Sequence, residues 1–370
     1  MTSENWLERR ISMKKEYIIP IFVPHLGCPH QCTFCNQKNI SGQAKQVTAK
    51  EVKETIEYYL KNFQDNHKYV EVAFFGGSFT GIDVNTQNEL LEAVNEYIDL
   101  GKVKSIRIST RPDYIDKQTL KRLKKYHVKT IELGVQSTND YILAKCRRGH
   151  TFEDVKNASK LIRRHGFVLG HQMMIGLPES TKLDEYNTAK DLIKLKPKIV
   201  RIYPVLVIKD TPLAEEYEKG EYVPLTLEQA VERSKEVVAL FQKAKVTVIR
   251  IGLQNTEEIS DPNLATSQVL AGPYHPAFRQ LVESSMWYDE IVGKIKTFNT
   301  KVMKVKITAN PENINSIIGH KKENVLKLKE FYDVDVIVKA DETIKKGKFN
   351  ISIEKTYEDM LQEEREKIAK

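Results

Sequence analysis

Four cysteines and two tryptophans are few for a chain of 370 residues. So sparse a cysteine content excludes a disulfide-stapled scaffold, which small secreted domains build from much denser cysteine. No run of 18 or more apolar residues occurs, so no transmembrane helix is expected. The polar N-terminus carries Glu4, Glu8, Arg9 and Arg10 and lacks the apolar stretch of a signal peptide. A cytoplasmic location without a membrane partner is therefore expected. No internal repeat or low-complexity tract is present. Neither sign of charge dominates: 58 Lys and Arg stand against 50 Asp and Glu, a formal net charge of +8. That balance permits a nucleic-acid partner without requiring one.

Apolar residues make up 41% of the chain, enough for a sizeable core. Near-continuous apolar runs at Tyr17–Pro24, Val70–Phe75, Lys104–Ser109, Thr130–Val135, Val168–Ile175 and Ile199–Leu206 read as strands buried on both faces. Helical patterns fall between them, at Thr48–Asn62, Thr86–Asp99, Asp116–Tyr126, Phe152–His165 and Asp184–Leu195, with Thr48 and Thr151 as N-caps. A helix at Leu227–Lys243 and a seventh strand at Val246–Ile251 follow. Repeated β–α units imply parallel strands with right-handed crossovers. The expected fold is α/β, a partial (β/α)6 TIM-like barrel over residues 17–265, after an N-terminal extension at 1–16. A bridging segment is expected at 266–298 and a small α/β domain at 299–370.

The richest segment is Pro24-His25-Leu26-Gly27-Cys28-Pro29-His30-Gln31-Cys32-Thr33-Phe34-Cys35, directly after the first strand. Three thiolates on one short loop can hold three irons of a [4Fe–4S] cluster and leave the fourth open. The methionine end of S-adenosylmethionine suits that open iron. Reductive cleavage of the sulfonium then yields a 5′-deoxyadenosyl radical. Structural zinc, with His25 or His30 as a fourth ligand, is the competing reading. Cys146 stands alone and is expected to be a packed thiol rather than a fourth ligand.

In a parallel barrel, chemistry gathers at the C-terminal strand ends. Unusual residues follow each strand here: Phe75–Phe79, Ser109–Asp113, Gly134–Ser137, His171–Pro178 and Arg201–Pro204.

The spacing C-x3-C-x2-C, with Phe34 before the last cysteine, resembles the signature of the radical S-adenosylmethionine (radical SAM) superfamily. The order of the strand-end segments, continuing through Arg148-Gly149-His150 and Val248–Gln254, resembles the radical domain of the Elongator catalytic subunit family. That family modifies transfer RNA. The resemblance implies a [4Fe–4S] cluster on Cys28, Cys32 and Cys35, and an electron donor such as ferredoxin or flavodoxin. It places Phe34 near the adenine, Gly76, Gly77 and Ser78 at the methionine amino group, and Arg148 at the methionine carboxylate. Gln136 and Gln172 match ribose-binding positions, and Ser109 stands where relatives often carry Glu. Elongator subunits continue into an acetyltransferase domain, whereas about 70 residues follow the barrel and bridge here. Self-contained acetyl transfer is therefore not expected.

Those last residues read β–α–α–β–β–α. The loop Gly319-His320-Lys321-Lys322 lies in a segment resembling the I-I-G-x-x-G of a KH domain, with Lys322 at the second glycine. Such a loop clamps an RNA backbone, although Lys301–Lys370 holds 15 basic and 13 acidic residues. The expected function is radical modification of transfer RNA or another RNA. A radical enzyme on a small molecule, like coproporphyrinogen dehydrogenase, and an RNA-binding protein with a structural metal loop are the alternatives.

Overall fold

The structure, a computed structural model, describes residues 16–23, 32–36, 46–63, 69–254, 256 and 259–368. They fall into two compact units, one made of Lys14–Pro276 and one containing Ala277–Lys370.

In the first unit, seven strands lie side by side in one parallel sheet that curls into a half-barrel. They are β1 (Glu16–Val23), β2 (Tyr69–Gly76), β3 (Ser105–Thr110), β4 (Val128–Gln136), β5 (Val168–Ile175), β6 (Ile199–Pro204) and, at the far edge, Thr247–Ile251. The helices between them are α1 (Ala49–Asn62), α2 (Val84–Asp99), α3 (Lys117–Lys125), α4 (Asp140–Lys145), α5 (Phe152–Arg164), α6 (Lys182–Lys194), α7 (Pro212–Glu218) and α8 (Leu227–Lys243). Thr48, Thr151, Thr181 and Thr226 close capping boxes at α1, α5, α6 and α8, so these starts are fixed locally by side chain and backbone together.

Side chains alternate across each strand. Ile19, Ile21, Ile106, Ile108, Ile131, Leu133, Val200 and Ile202 are buried on the face that carries the helices. The other face bears Glu71, Arg107, Glu132, Gln172 and Arg201. The sixth strand ends at Pro204 rather than Leu206. Val207–Ile208, here β7, turns away to pair with Val269–Ala271 in a two-stranded ribbon; Thr247–Ile251 is then β8 and Val269–Ala271 is β9.

The segment expected to bridge is divided between the units. β9 belongs to the first, and helix α9 (Phe278–Ile295) supplies Trp287, Ile291 and Val292 to the core of the second. There, β10 (Val302–Ala309) sits between β11 (Asp335–Ala340), parallel to it, and β12 (Phe349–Thr356), antiparallel. Two helices, α10 (Pro311–Ile318) and α11 (Glu323–Tyr332), flank the glycine loop, and α12 (Tyr357–Ile368) ends the described chain.

Candidate active site

The cysteine loop starts where β1 ends. Its described part, residues 32–36, is held from three sides. The Cys35 N–H donates to Cys32 O at 3.1 Å and forms a tight turn. Thr33 donates its N–H to Cys146 O at 3.1 Å and accepts from Leu213 N–H at 2.9 Å. The Asn36 amide donates to Lys209 O at 2.7 Å. Cys32 is buried, Cys35 is half-buried, and Phe34 packs against an apolar cluster that includes Leu177 and Leu213. Cys28 lies outside the described residues.

Arg148 reaches this loop from beyond α4. Its Nη1 donates to Cys32 Sγ at 3.2 Å and its Nη2 to Gly134 O at 2.7 Å. Its Nε is buried without a hydrogen-bond partner among the described residues, as is Gln136 Oε1. Gln136 ends β4 in a left-handed conformation, φ 71°, which is uncommon for a non-glycine residue and recurs at functional sites. Beside them His150 is held neutral. Burial first, then the Arg148 and Arg111 guanidiniums, push its pKa down to about 3.

At the end of β2, Gly77 N–H donates to Val23 O at 2.9 Å. Gly76 has φ +97°, and a Cβ there would sit 2.7 Å from the same oxygen. Only glycine lets the end of β2 approach the end of β1 this closely. Ser78 Oγ pairs with Thr110 Oγ1 at 2.8 Å and accepts from Arg111 N–H at 3.1 Å. Ser78 therefore ties the second strand end to the third.

A buried ionic chain runs through the inner face. Arg107 donates to Glu71 at 2.6 Å and to Glu132 at 2.8 Å, and Arg201 donates to Glu132 at 2.5 and 3.1 Å. Gln172 Nε2 joins it, 3.2 Å from Glu132 Oε2 and 3.3 Å from Ser109 Oγ. Burial would raise the Glu132 pKa; Arg201 and Arg107 override it and hold the carboxyl ionised below its usual range.

The radical SAM superfamily profile matches residues 22–192, and that of the radical SAM C-terminal domain residues 197–288. The chain belongs to the radical SAM superfamily. An uncharacterized protein of Methanocaldococcus jannaschii is 32% identical over 228 residues, 59% of this chain and 70% of that one. The tRNA uridine(34) acetyltransferase of the same organism is 32% identical over 183 residues, 44% of this chain. The chain spans only 34% of that transferase's length. Among solved structures, the archaeal Methanocaldococcus infernus Elp3 lacking residues 1–46 superposes with a TM-score of 0.60 at 23% identity, over 76% of this chain and 64% of that one. This likeness fixes the fold.

Radical SAM enzymes use a [4Fe–4S] cluster and S-adenosylmethionine, and these are the cofactors of this enzyme. The described residues fit them. Two of the three cysteines sit in one turn, a guanidinium lies against Cys32, and two buried polar atoms, Arg148 Nε and Gln136 Oε1, lack partners among the described residues. Cys146 is fully buried in the apolar cluster that Phe34 packs against, and burial pushes its thiol up to about 12. His171 points the other way from Gln172, onto Ser159 Oγ at 2.9 Å in the helix layer.

The ionic chain was not foreseen from sequence. Its signal is a lone charge in the middle of an apolar strand, as in Val70-Glu71-Val72, Ile106-Arg107-Ile108, Ile131-Glu132-Leu133 and Val200-Arg201-Ile202.

Proposed function

We propose that this radical SAM enzyme modifies transfer RNA. The identity with the M. jannaschii tRNA uridine(34) acetyltransferase carries the reading. In it, Cys28, Cys32 and Cys35 hold the cluster, Arg148 and Gln136 bind the methionine carboxylate and the ribose, and Gly76 and Gly77 admit the methionine amino group. Once bound and reduced by a donor such as ferredoxin or flavodoxin, cluster and S-adenosylmethionine together supply a carbon radical able to abstract hydrogen from the substrate. The chain's own residues orient these groups and keep water from them. Cys32, Arg148 and His150 are all buried, and the Glu71–Arg107–Glu132–Arg201 chain fixes the inner strand faces beneath. The second unit supports an RNA substrate through its glycine loop, where Lys321 and Lys322 sit at the N-terminus of α11. Mass spectrometry of transfer-RNA nucleosides from cells with and without the gene tests the proposal. A nucleoside that disappears with the gene supports it. Identical nucleoside profiles overturn it and favour a small-molecule substrate.

A further inference from the structure

Five neighbouring strands, β3, β4, β5, β6 and β8, are parallel and consecutive in the sheet, so the loops that enter them share one face. This is the N-terminal face, opposite the cysteine loop. Those loops are Leu100–Lys104, Lys124–Lys129, Arg163–Phe167, Lys194–Lys198 and Lys243–Val246. They hold two, three, two, three and two lysines or arginines, and no Asp or Glu. All twelve are exposed. The loops also bind one another. Lys124 Nζ donates to His165 O at 3.2 Å and Arg163 to Leu195 O at 3.4 Å. Neighbouring strands lie about 4.8 Å apart, so the basic strip is roughly 20 Å long.

Helix C-termini favour cations through the helix dipole, which accounts for Lys124, Lys125, Arg163, Arg164, Lys194 and Lys243. The dipole's reach ends within the last turn. It does not account for Lys102, Lys104, Lys129 and Lys198, which lie past the helix ends or inside the strand starts. Nor does it explain the absence of carboxylates, because the chain as a whole holds nearly as many acidic as basic residues.

We propose that this face is a phosphodiester-binding surface that holds RNA, apart from the catalytic mouth. The proposal rests on the RNA-substrate reading for the identity of the polyanion. Strands of six to nine residues put roughly 20–30 Å between the two faces. The strip therefore does not touch the reacting atoms, and a reductant docked there would be far from the cysteine loop. A backbone tracking the strip meets cations at several successive phosphates.

The test uses the full chain and the quadruple variant Lys104→Gln, Lys125→Gln, Arg164→Gln and Lys198→Gln, one position from each of four loops. Binding of unmodified transfer RNA is measured by fluorescence anisotropy over a series of salt concentrations. Each lost phosphate contact lowers the slope of log affinity against log salt by roughly 0.7–0.9. The variant is expected to lose about 3 from the slope and at least about tenfold in affinity near 100 mM salt. Its thermal midpoint and its reductive cleavage of S-adenosylmethionine should match those of the parent, which excludes misfolding. An unchanged slope and affinity overturn the proposal, and the transfer-RNA reading then still stands if the gene-dependent nucleoside persists. If the parent binds no RNA and no nucleoside depends on the gene, both fall. Lost binding to phosphatidylserine vesicles with RNA binding intact overturns the proposal in favour of a lipid surface.

Discussion

The Arg148 guanidinium donates to Cys32 Sγ at 3.2 Å across 116 residues of sequence, and its second arm holds Gly134 O at 2.7 Å. One side chain thus joins the cysteine loop to the end of β4. It leaves Nε in a buried position without a partner among the described residues. A buried donor without an acceptor costs about 1–3 kcal/mol, so a bound acceptor such as a carboxylate relieves that cost. Arg148→Ala removes the donor and the tie together. Affinity for S-adenosylmethionine is expected to fall roughly tenfold or more, with the iron content lowered less than in a cysteine variant. Arg148→Lys keeps the charge without the planar fork and recovers only part of the loss. Equilibrium binding with parallel iron analysis checks this; unchanged affinity in both variants would remove Arg148 from the site.

Gly76 makes a second prediction about the same site. Ala at this position would hold a positive φ and press a Cβ to 2.7 Å from Val23 O. Gly76→Ala is expected to cost about 1–3 kcal/mol of stability and to reduce cluster loading, because it displaces the base of the cysteine loop. The control Gly101→Ala also has positive φ, but a Cβ there meets nothing within 4 Å. If both variants load iron like the parent, the close approach at Gly76 has no bearing on the loop.

Most of the half-barrel was legible because its strands are fully buried apolar runs and its helices carry threonine caps. Both signals are local. The helix ends at Lys125 and Lys243 fall within a residue of the sequence-based expectation. The joining of Arg148 to Cys32 was not legible, since nothing in the spacing says which strand end a guanidinium will cross. Helix α7 was not legible either, because its 7 residues are too few for a helical period to stand out. Lys322 stands at the second glycine position of the KH-like loop. The backbone there keeps the left-handed conformation, φ 66°, so the loop shape survives the change of residue.

Stability should depend on pH in two opposite ways. Glu132 has a folded pKa below its unfolded value, with Arg201 and Arg107 outweighing burial. Its contribution is present above the ordinary carboxylate range and lost as pH falls through the lower, folded value. Glu185 is the reverse: burial pushes it from 4.5 up to about 7, against the pull of the Gly176 N–H and Arg233. Stability is full below pH 4.5 and declines as pH rises through about 7, by at most about 3 kcal/mol. Glu185→Gln should flatten that decline. Glu132→Gln should destabilise at all neutral pH by about 3–5 kcal/mol, since it leaves the buried Arg201 guanidinium without its carboxylate and Arg107 with Glu71 alone. Thermal midpoints at pH 5.5 and 8 for the three proteins decide both; a Glu185→Gln profile parallel to the parent's would show that Glu185 titrates elsewhere.

The last prediction concerns the glycine loop of the second unit. Gly319 has φ +85° and its Cβ would meet Asn324 N at 2.8 Å. Asn324 in turn donates from its side-chain amide to the carbonyls of Ser284, Ser316 and Ile317. The loop is thus pinned between α9, α10 and α11. Lys321 and Lys322 follow in left-handed conformations, φ 49° and 66°, a strain that glycine would not carry. Lys322→Gly is therefore expected to stabilise the loop by up to about 1 kcal/mol while removing one cation. Lys321→Asp with Lys322→Asp reverses two charges at the N-terminus of α11, where backbone N–H groups favour phosphate. If the loop contacts RNA, that double variant flattens the salt dependence of transfer-RNA binding by about 2 per decade, and Lys322→Gly by about 1. The quadruple change on the barrel's N-terminal face should add to either effect, because the two sets of cations share no residue. Equal slopes for the parent and both loop variants would assign RNA contact to other surfaces and leave the loop a packing element.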